Sequence, residues 1–213
     1  LNAIIGFTDL LLRESPGPVT FEQRRQLGMV KQSSVELLAL VENVLDLARI
    51  EAGHGAVVLA EFDLAERVRA TVAPMSALAE DRGVRLRCTG GEGVRVRSDA
   101  DKLGQVVRNL VSNAIKFTPR DGSVEVRIVQ HDDSVAIEVA DTGIGIAPEG
   151  QERVFEAFVQ VESCDRVKPQ GTGLGLAICR ELSALLGCRL ELDSVPGKGS
   201  TFTVVVPAAA RVR

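Results

Sequence analysis

Asp141-Thr142-Gly143-Ile144-Gly145-Ile146 follows directly on Val135, Ile137 and Val139, the alternating apolar residues of a strand with one buried face. A carboxylate at a strand end, followed at once by two glycines, builds core poorly. It suits the close approach of backbone to a flat polar ligand, because glycine has no Cβ and tolerates φ > 0. By itself the stretch also fits a plain strand-to-loop turn. Its neighbours narrow the choice: Asn109…Asn113-Ala114-Ile115-Lys116-Phe117 lies upstream and Gly171-Thr172-Gly173-Leu174-Gly175-Leu176-Ala177-Ile178 downstream. Three polar and glycine-rich segments in this order, on a framework of strands and helices, point to a nucleotide site.

The upstream segment belongs to a helix over 101–117, opened by Asp101 and ended by Pro119, with Leu103, Val106, Val107, Leu110, Val111 and Ala114 as its apolar stripe. Asn109, Asn113 and Lys116 are spaced by four and three, which sets two amides and an ammonium on one helix face. Asparagine is a mediocre helix former, so two of them one turn apart serve no packing purpose. Amide oxygens suit a hard cation such as Mg²⁺, and Lys116 would oppose phosphate charge. Gly171–Gly175 opens the next helix, where backbone N–H groups can face phosphates. It lacks the Gly-Lys-Ser/Thr of a Walker loop and does not follow a strand, which excludes a dinucleotide-binding fold. Asp141 would accept from the exocyclic amine of adenine and discriminate against guanine. The apolar walls would come from Ile146, Phe155 or Phe158, and Leu174.

Outward from this region, residues 1–14 read as an amphipathic helix stopped by Ser15-Pro16-Gly17-Pro18. A second helix runs from about Thr20 to about Ile50. Leu27, Val30, Ser34, Leu37, Val41, Val44 and Ala48 form a heptad seam on it, which calls for a partner chain or a four-helix bundle. A linker follows, then Asp63 as an N-cap with a helix to about Arg82, strands at 84–88 and 94–97, and a hairpin from 123–130 and 134–140. The stretch 147–170 reads as a binding loop or lid with at most a short helix. A helix over 173–187 and a hairpin of 188–193 with 200–206 close the chain. The expected architecture is α+β: a helical hairpin over 1–52, a linker over 53–61, and a two-layer α/β sandwich with a mixed sheet over 62–213.

The bulk numbers set outer limits. A chain of 213 residues, 45% hydrophobic and 25% charged, is of globular composition, and its net charge of −4 argues against a general nucleic-acid binder. No apolar run is long enough to span a membrane and no signal peptide opens the chain, so neither membrane contact nor secretion is expected. The start at Leu1, in mid-pattern, reads as part of a longer protein. Cys88, Cys164, Cys179 and Cys188 have no metal-type spacing and read as free thiols in a reducing, cytoplasmic setting. His54 and His131 both sit in loop compositions and read as solvated residues rather than catalysts.

Asn109-Leu-Val-Ser-Asn113-Ala-Ile-Lys116-Phe117-Thr118, Asp141-Thr-Gly-Ile-Gly145, Phe155-Glu-Ala-Phe158 and Gly171-Thr-Gly-Leu-Gly175 resemble the N, G1, F and G2 boxes of sensor histidine kinases, within the GHKL group of ATP-binding domains. Leu1-Asn-Ala-Ile-Ile-Gly6 looks like the end of the family's H box, and Leu45–Gly53 like the end of its second dimerisation helix. Gly197-Lys-Gly-Ser-Thr-Phe202 looks like its closing hairpin. The resemblance implies ATP held between the 101–117 helix and the lid, with Asp141 on adenine and Asn113 on Mg²⁺. Asn109 would assist the metal or phosphates, Lys116 would contact phosphate, and Thr201 would lie near the base. Phe117, Gly143, Gly145, Ile146, Phe158, Gly171, Thr172, Gly173, Leu174 and Gly175 would complete the nucleotide site. It also implies a homodimer through the helical hairpin and transfer of the γ-phosphoryl to a histidine, then to the receiver domain of a response regulator. That histidine would stand roughly six residues before Leu1, under two helical turns. The lid's end departs from the family, with Pro169 and Gln170 where an aromatic or glycine-rich lead-in is usual, and Arg166 and Lys168 as the cations nearby. Two alternatives remain. A GHKL-type ATPase needs an acidic residue to activate water where this chain has the neutral Asn109. A degenerate or regulatory ATP-binding dimerisation module would have lost metal and phosphate ligands that are intact in this sequence.

Overall fold

A computed structural model describes residues 1–15, 17–51, 56–159 and 172–207. His54, Cys164, Gly171 and the lid end at 164–170 lie outside the described residues, as does Pro16. The chain divides into two compact units, Leu1–Ala48 and Arg49–Arg213.

The first unit is helical. Helix α1 spans Asn2–Leu12 and α2 spans Phe21–Glu51. A capping box starts α2: Gln23 N–H donates to Thr20 Oγ1 (3.2 Å) while Thr20 N–H donates to Gln23 Oε1 (2.8 Å). Lys31 meets Asp9 at 2.7 Å and Arg24 reaches the Leu12 carbonyl at 2.9 Å, so the helices run antiparallel. The stripe expected on α2 splits in two. Leu27 is half-buried and Ser34 buried, while Val30, Leu37, Val41 and Val44 stay exposed.

The second unit begins with β1 (Ala60–Asp63) and α3 (Leu64–Val72), then α4 (Ser76–Arg82), β2 (Arg85–Gly90), β3 (Arg95–Ser98), α5 (Ala100–Phe117), β4 (Ser123–Gln130) and β5 (Ser134–Asp141). It continues with α6 (Pro148–Gln151), α7 (Gly175–Leu185), β6 (Arg189–Val195) and β7 (Gly199–Pro207). The five-stranded sheet has the order β2-β4-β5-β7-β6, with β2 and β4 parallel and the other neighbours antiparallel. It is a mixed sheet, as expected. Val124, Val126 and Ile128 on β4, Val135, Ile137 and Val139 on β5, and Phe202, Val204 and Val206 on β7 are all buried. Helices α5 and α7 cover that face and leave a solvated one, where Arg127 pairs with Glu138 at 3.0 Å.

One expectation needs correction. The helix from Asp63 to Arg82 is broken by a 3₁₀ turn at Ala73–Met75, because Pro74 has no N–H to continue the ladder. The strands expected at 84–88 and 94–97 form, in different sheets: β3 pairs with β1 (Ala60↔Ser98 to Asp63↔Arg95), and β2 pairs with β4. Asp63 does cap α3, accepting from Glu66 N–H at 2.9 Å.

Candidate functional site

Helix α5 is anchored at its start and apolar along one side. Asp99 caps it, accepting from Asp101 and Lys102 N–H at 3.1 and 3.0 Å, and also from Val58 N–H and the Lys102 ammonium. Burial of Asp99 opposes ionisation, but these donors outweigh it and hold the pKa down at about 2. With Leu103, Val106, Val107, Leu110 and Val111 buried, Asn109, Asn113 and Lys116 are left half-buried. Both asparagines look toward the first turn of α7. Asn109 Nδ2 donates to the Gly175 carbonyl at 3.4 Å, and a Cβ on Gly175 would stand 3.8 Å from Asn113 Nδ2. Also on α7, the buried Cys179 thiol donates to the Val106 carbonyl at 3.7 Å, and burial pushes its pKa up to about 12. With its nitrogen directed at an acceptor-only carbonyl, the Asn109 oxygen is left for another partner.

Lys116 closes the far end of α5. Its ammonium lies 4.6 Å from the centre of the Phe117 ring. Burial, and then the Arg82 guanidinium, lower its pKa. Arg82 itself donates to the Lys116 carbonyl at 3.3 Å. The ammonium has no acidic partner among the described residues.

The loop after β5 packs against this helix end. A Cβ on the buried Gly143 would stand 2.6 Å from the Phe117 carbonyl, and Ile144 N–H donates to the same oxygen at 3.3 Å. Asp141 Oδ1 accepts from Gly143 N–H (2.7 Å) and Ser200 N–H (3.3 Å). Burial raises the Asp141 pKa, and those two donors only partly offset it. Its second oxygen is available as an acceptor. Gly145 sits at φ +66 with its Cα turned toward β6; a Cβ there would meet the Val195 carbonyl at 2.1 Å. Ile146, half-buried, donates its N–H to Ser194 Oγ at 2.8 Å.

On the third side, α7 starts at Gly175, two residues later than expected. Gly173 adopts φ +70 and its carbonyl accepts from Phe158 N–H at 3.1 Å. Thr172 Oγ1 accepts from Leu174 N–H at 3.3 Å. The apolar walls need revision. Leu174 has no exposed surface and belongs to the core, so only its backbone can meet a ligand. Phe155 packs edge-on against Phe202 with centroids 6.2 Å apart, while Phe158 remains 64% exposed. Thr201 stands apart from the Asp141 side. It pairs with Ala140, and strand alternation sends it to the solvated face with that residue. Ser200, one residue earlier, shares Asp141's side of the sheet.

The structure thus brings Asn109, Asn113, Lys116, Phe117, Asp141, Gly143, Gly145, Ile146, Thr172, Gly173 and Gly175 around one region between α5, the β5 loop and the start of α7. The residues that support them from behind, Gln151, Ser194 and Ser200, carry no signal in the sequence. A glutamine and two serines near a Gly-Lys-Gly turn are ordinary surface composition until the tertiary pairing is known.

Residues 98–210 match the family of histidine kinase-, DNA gyrase B- and HSP90-like ATPases, and residues 1–53 match the His Kinase A (phospho-acceptor) domain. The chain is 37% identical over 210 residues to the circadian input-output histidine kinase CikA of Synechococcus elongatus, covering 97% of this chain and 28% of that protein. It is 37% identical over 208 residues to the histidine protein kinase DivJ of Caulobacter vibrioides, covering 97% of this chain and 35% of that one. Among solved structures, full-length ShkA in complex with AMPPNP superposes with a TM-score of 0.76 at 31% identity, over 97% of this chain and 43% of ShkA. The chain spans less than half the length of these relatives. With a phospho-acceptor-type helical pair ahead of a mixed-sheet ATPase domain, the chain belongs to the histidine kinase family.

Proposed function

We infer that this chain is the catalytic part of a two-component sensor histidine kinase: it binds Mg-ATP and supports transfer of the γ-phosphoryl to a histidine upstream of Leu1. The phosphoryl then passes to an aspartate of a response-regulator receiver domain. The observation that carries the reading is Asp141, half-buried at a strand end with one oxygen saturated and the other open, on a loop packed against the end of the helix whose two asparagines face the start of α7. A buried carboxylate acceptor of this kind matches the exocyclic amine of adenine and repels a carbonyl in its place.

The donor set suits Mg²⁺. Among the described residues no three His, Cys, Asp or Glu side chains cluster as a metal cage. Mg²⁺ prefers a few oxygens of protein and phosphate and keeps much of its water, so the Asn113 amide, assisted by Asn109, is an apt contribution. When bound, the ion would neutralise phosphate charge. Lys116, with no acidic partner, would add a second positive charge, and positioning with charge neutralisation is most of what phosphoryl transfer asks of a protein. The hydrolase alternative is poorly served, because Asn109 is neutral and its nitrogen is committed to the Gly175 carbonyl. The phospho-acceptor match over 1–53 supports a homodimer through α1 and α2.

Calorimetric titration of the chain with Mg-ATP, beside Asp141→Asn and Asn113→Ala, tests the reading. The chain is expected to bind, and each substitution to weaken binding about ten-fold or more, as loss of a charged or metal-directed contact should. Absence of binding by the parent chain would leave a regulatory module as the better account.

A further inference from the structure

Behind the Asp141 loop lies a hydrogen-bonded cluster that reaches from α6 to the carboxylate. Ser194 Oγ accepts from Ile146 N–H at 2.8 Å and lies 3.1 Å from the Gly199 carbonyl, to which it donates. It is also 2.9 Å from Ser200 Oγ. A hydroxyl has one hydrogen, and the Gly199 carbonyl takes it, so Ser200 is the donor in that last contact. Ser194 is therefore saturated. Gln151, the last residue of α6, spends both amide hydrogens on the same cluster, one on the Ile146 carbonyl (3.1 Å) and one on the Ser194 carbonyl (2.9 Å). Ser200 completes the path, since its N–H is one of the two donors on Asp141 Oδ1. Both serines are buried.

We propose that Ser194, together with Gln151, is a positioning residue for adenine recognition: a clamp that touches no nucleotide and sets the aim of the free Asp141 oxygen. The proposal rests on the reading of Asp141 as the adenine acceptor. Oδ1 is held at two points, Gly143 in the loop and Ser200 in the hairpin. Holding both fixes the plane of the carboxylate and hence the direction of Oδ2. The Gly143 end is local to the loop. The Ser200 end depends on where the β6–β7 hairpin sits, and Ser194 with Gln151 ties that hairpin to Ile146 and the root of the lid. Loosening the clamp lets the carboxylate rotate, so that it favours an amine less and repels a carbonyl less. The clamp should thus set base discrimination, with little influence on the phosphate side.

The test is a set of calorimetric titrations of the whole chain with Mg-ATP and with Mg-inosine triphosphate. These ligands share ribose and phosphates and differ at the group Asp141 would read. The dissociation-constant ratio, inosine over adenine, is expected to fall about three- to ten-fold in Ser194→Ala, the scale of one lost hydrogen bond, and by less in Gln151→Ala. Ser194→Thr, which keeps the hydroxyl, should restore it. If Ser194→Ala does not fold, Gln151→Ala decides, because its side chain is only half-buried. A parental ratio in the variants, with both nucleotides weakened equally, would overturn the clamp and leave Asp141 as the acceptor. A parent chain with no preference for ATP over inosine triphosphate would overturn the Asp141 reading itself, and the clamp with it.

Discussion

Asp141 and Asp99 are both carboxylates held by backbone N–H groups, yet their environments push them in opposite directions. Burial raises the Asp141 pKa above 3.8, so the ionised form costs the fold stability at neutral pH, a cost that disappears as pH falls through the raised value. Asp141→Asn is expected to melt higher than the parent at pH 7 without ligand, and to lose that advantage below pH about 4, while binding ATP more weakly. Melting curves at the two pH values check the sign. Asp99 behaves in reverse. Its pKa of about 2 against 3.8 means that its contribution is present above 3.8 and is lost as pH falls toward 2. Asp99→Ala, which removes the cap of α5, should lower unfolding free energy at pH 7 by about 1–2 kcal/mol. Urea titrations at pH 7 and pH 2 should show the difference between parent and variant shrinking in acid. A difference unchanged by pH would mean that the cap's charge is not what stabilises α5.

The loop from Asp141 to Ile146 is an element whose shape depends on glycines in unequal ways. Gly145 has φ +66 and room for no Cβ, since one would stand 2.1 Å from the Val195 carbonyl. Gly197, in the hairpin that the loop packs on, has φ +75 but nothing within 4 Å of the same position. Gly145→Ala should therefore destabilise by about 3 kcal/mol, since backbone must move, whereas Gly197→Ala should cost about 1 kcal/mol of left-handed strain alone. Equal losses in chemical denaturation would mean that loop and hairpin are not pressed together. Much of this element could be read in advance. Helix α5 and the β4–β5 hairpin declare themselves by strict periods of 3.6 and 2, and Asp141 stands where that second period stops. What could not be read needed tertiary register. A one-residue step along β7 exchanges Ser200 for Thr201 beside Asp141, and nothing local says which side of the sheet is covered. Leu174 stands among glycines that suit a binding loop, yet its side chain completes the core. The four-residue strand β1 is too short to show a period, and Pro74 breaks a helix whose apolar stripe continues on both sides.

At the scale of the whole molecule, the two units differ in what can hold them together. The second has a core running from Leu64 to Val206. Between Leu1 and Ala48 the buried side chains among the described residues are Thr8 and Ser34, and each turns its hydroxyl back to the carbonyl four residues before it, at 2.6 and 2.8 Å. Among the described residues of that unit no apolar side chain is buried. The ion pairs that tie α1 and its end to α2, Lys31–Asp9 and Arg24–Glu14, reach solvent, where such pairs add little. Against that, each residue ordered costs about 1–2 kcal/mol of backbone entropy, and helix formation alone does not recover it in water. The missing burial must come from another surface. Val30, Leu37, Val41 and Val44 expose 47%, 49%, 40% and 38% of their area and follow a heptad-like order along one side of α2. A second copy would present the same stripe and could close it symmetrically, in line with the dimer proposed above. Helicity is therefore expected to depend on protein concentration. Far-ultraviolet ellipticity per residue should fall on dilution through the dimer's dissociation range, while the sheet domain keeps its near-native melting transition. Val41→Asp, which would bury an unpaired carboxylate, should move that range upward by about ten-fold or more. Sedimentation measured alongside separates the outcomes. Dimer lost together with helicity places the seam on this stripe, and full helicity in a monomer at every concentration would show that the two helices hold each other without it.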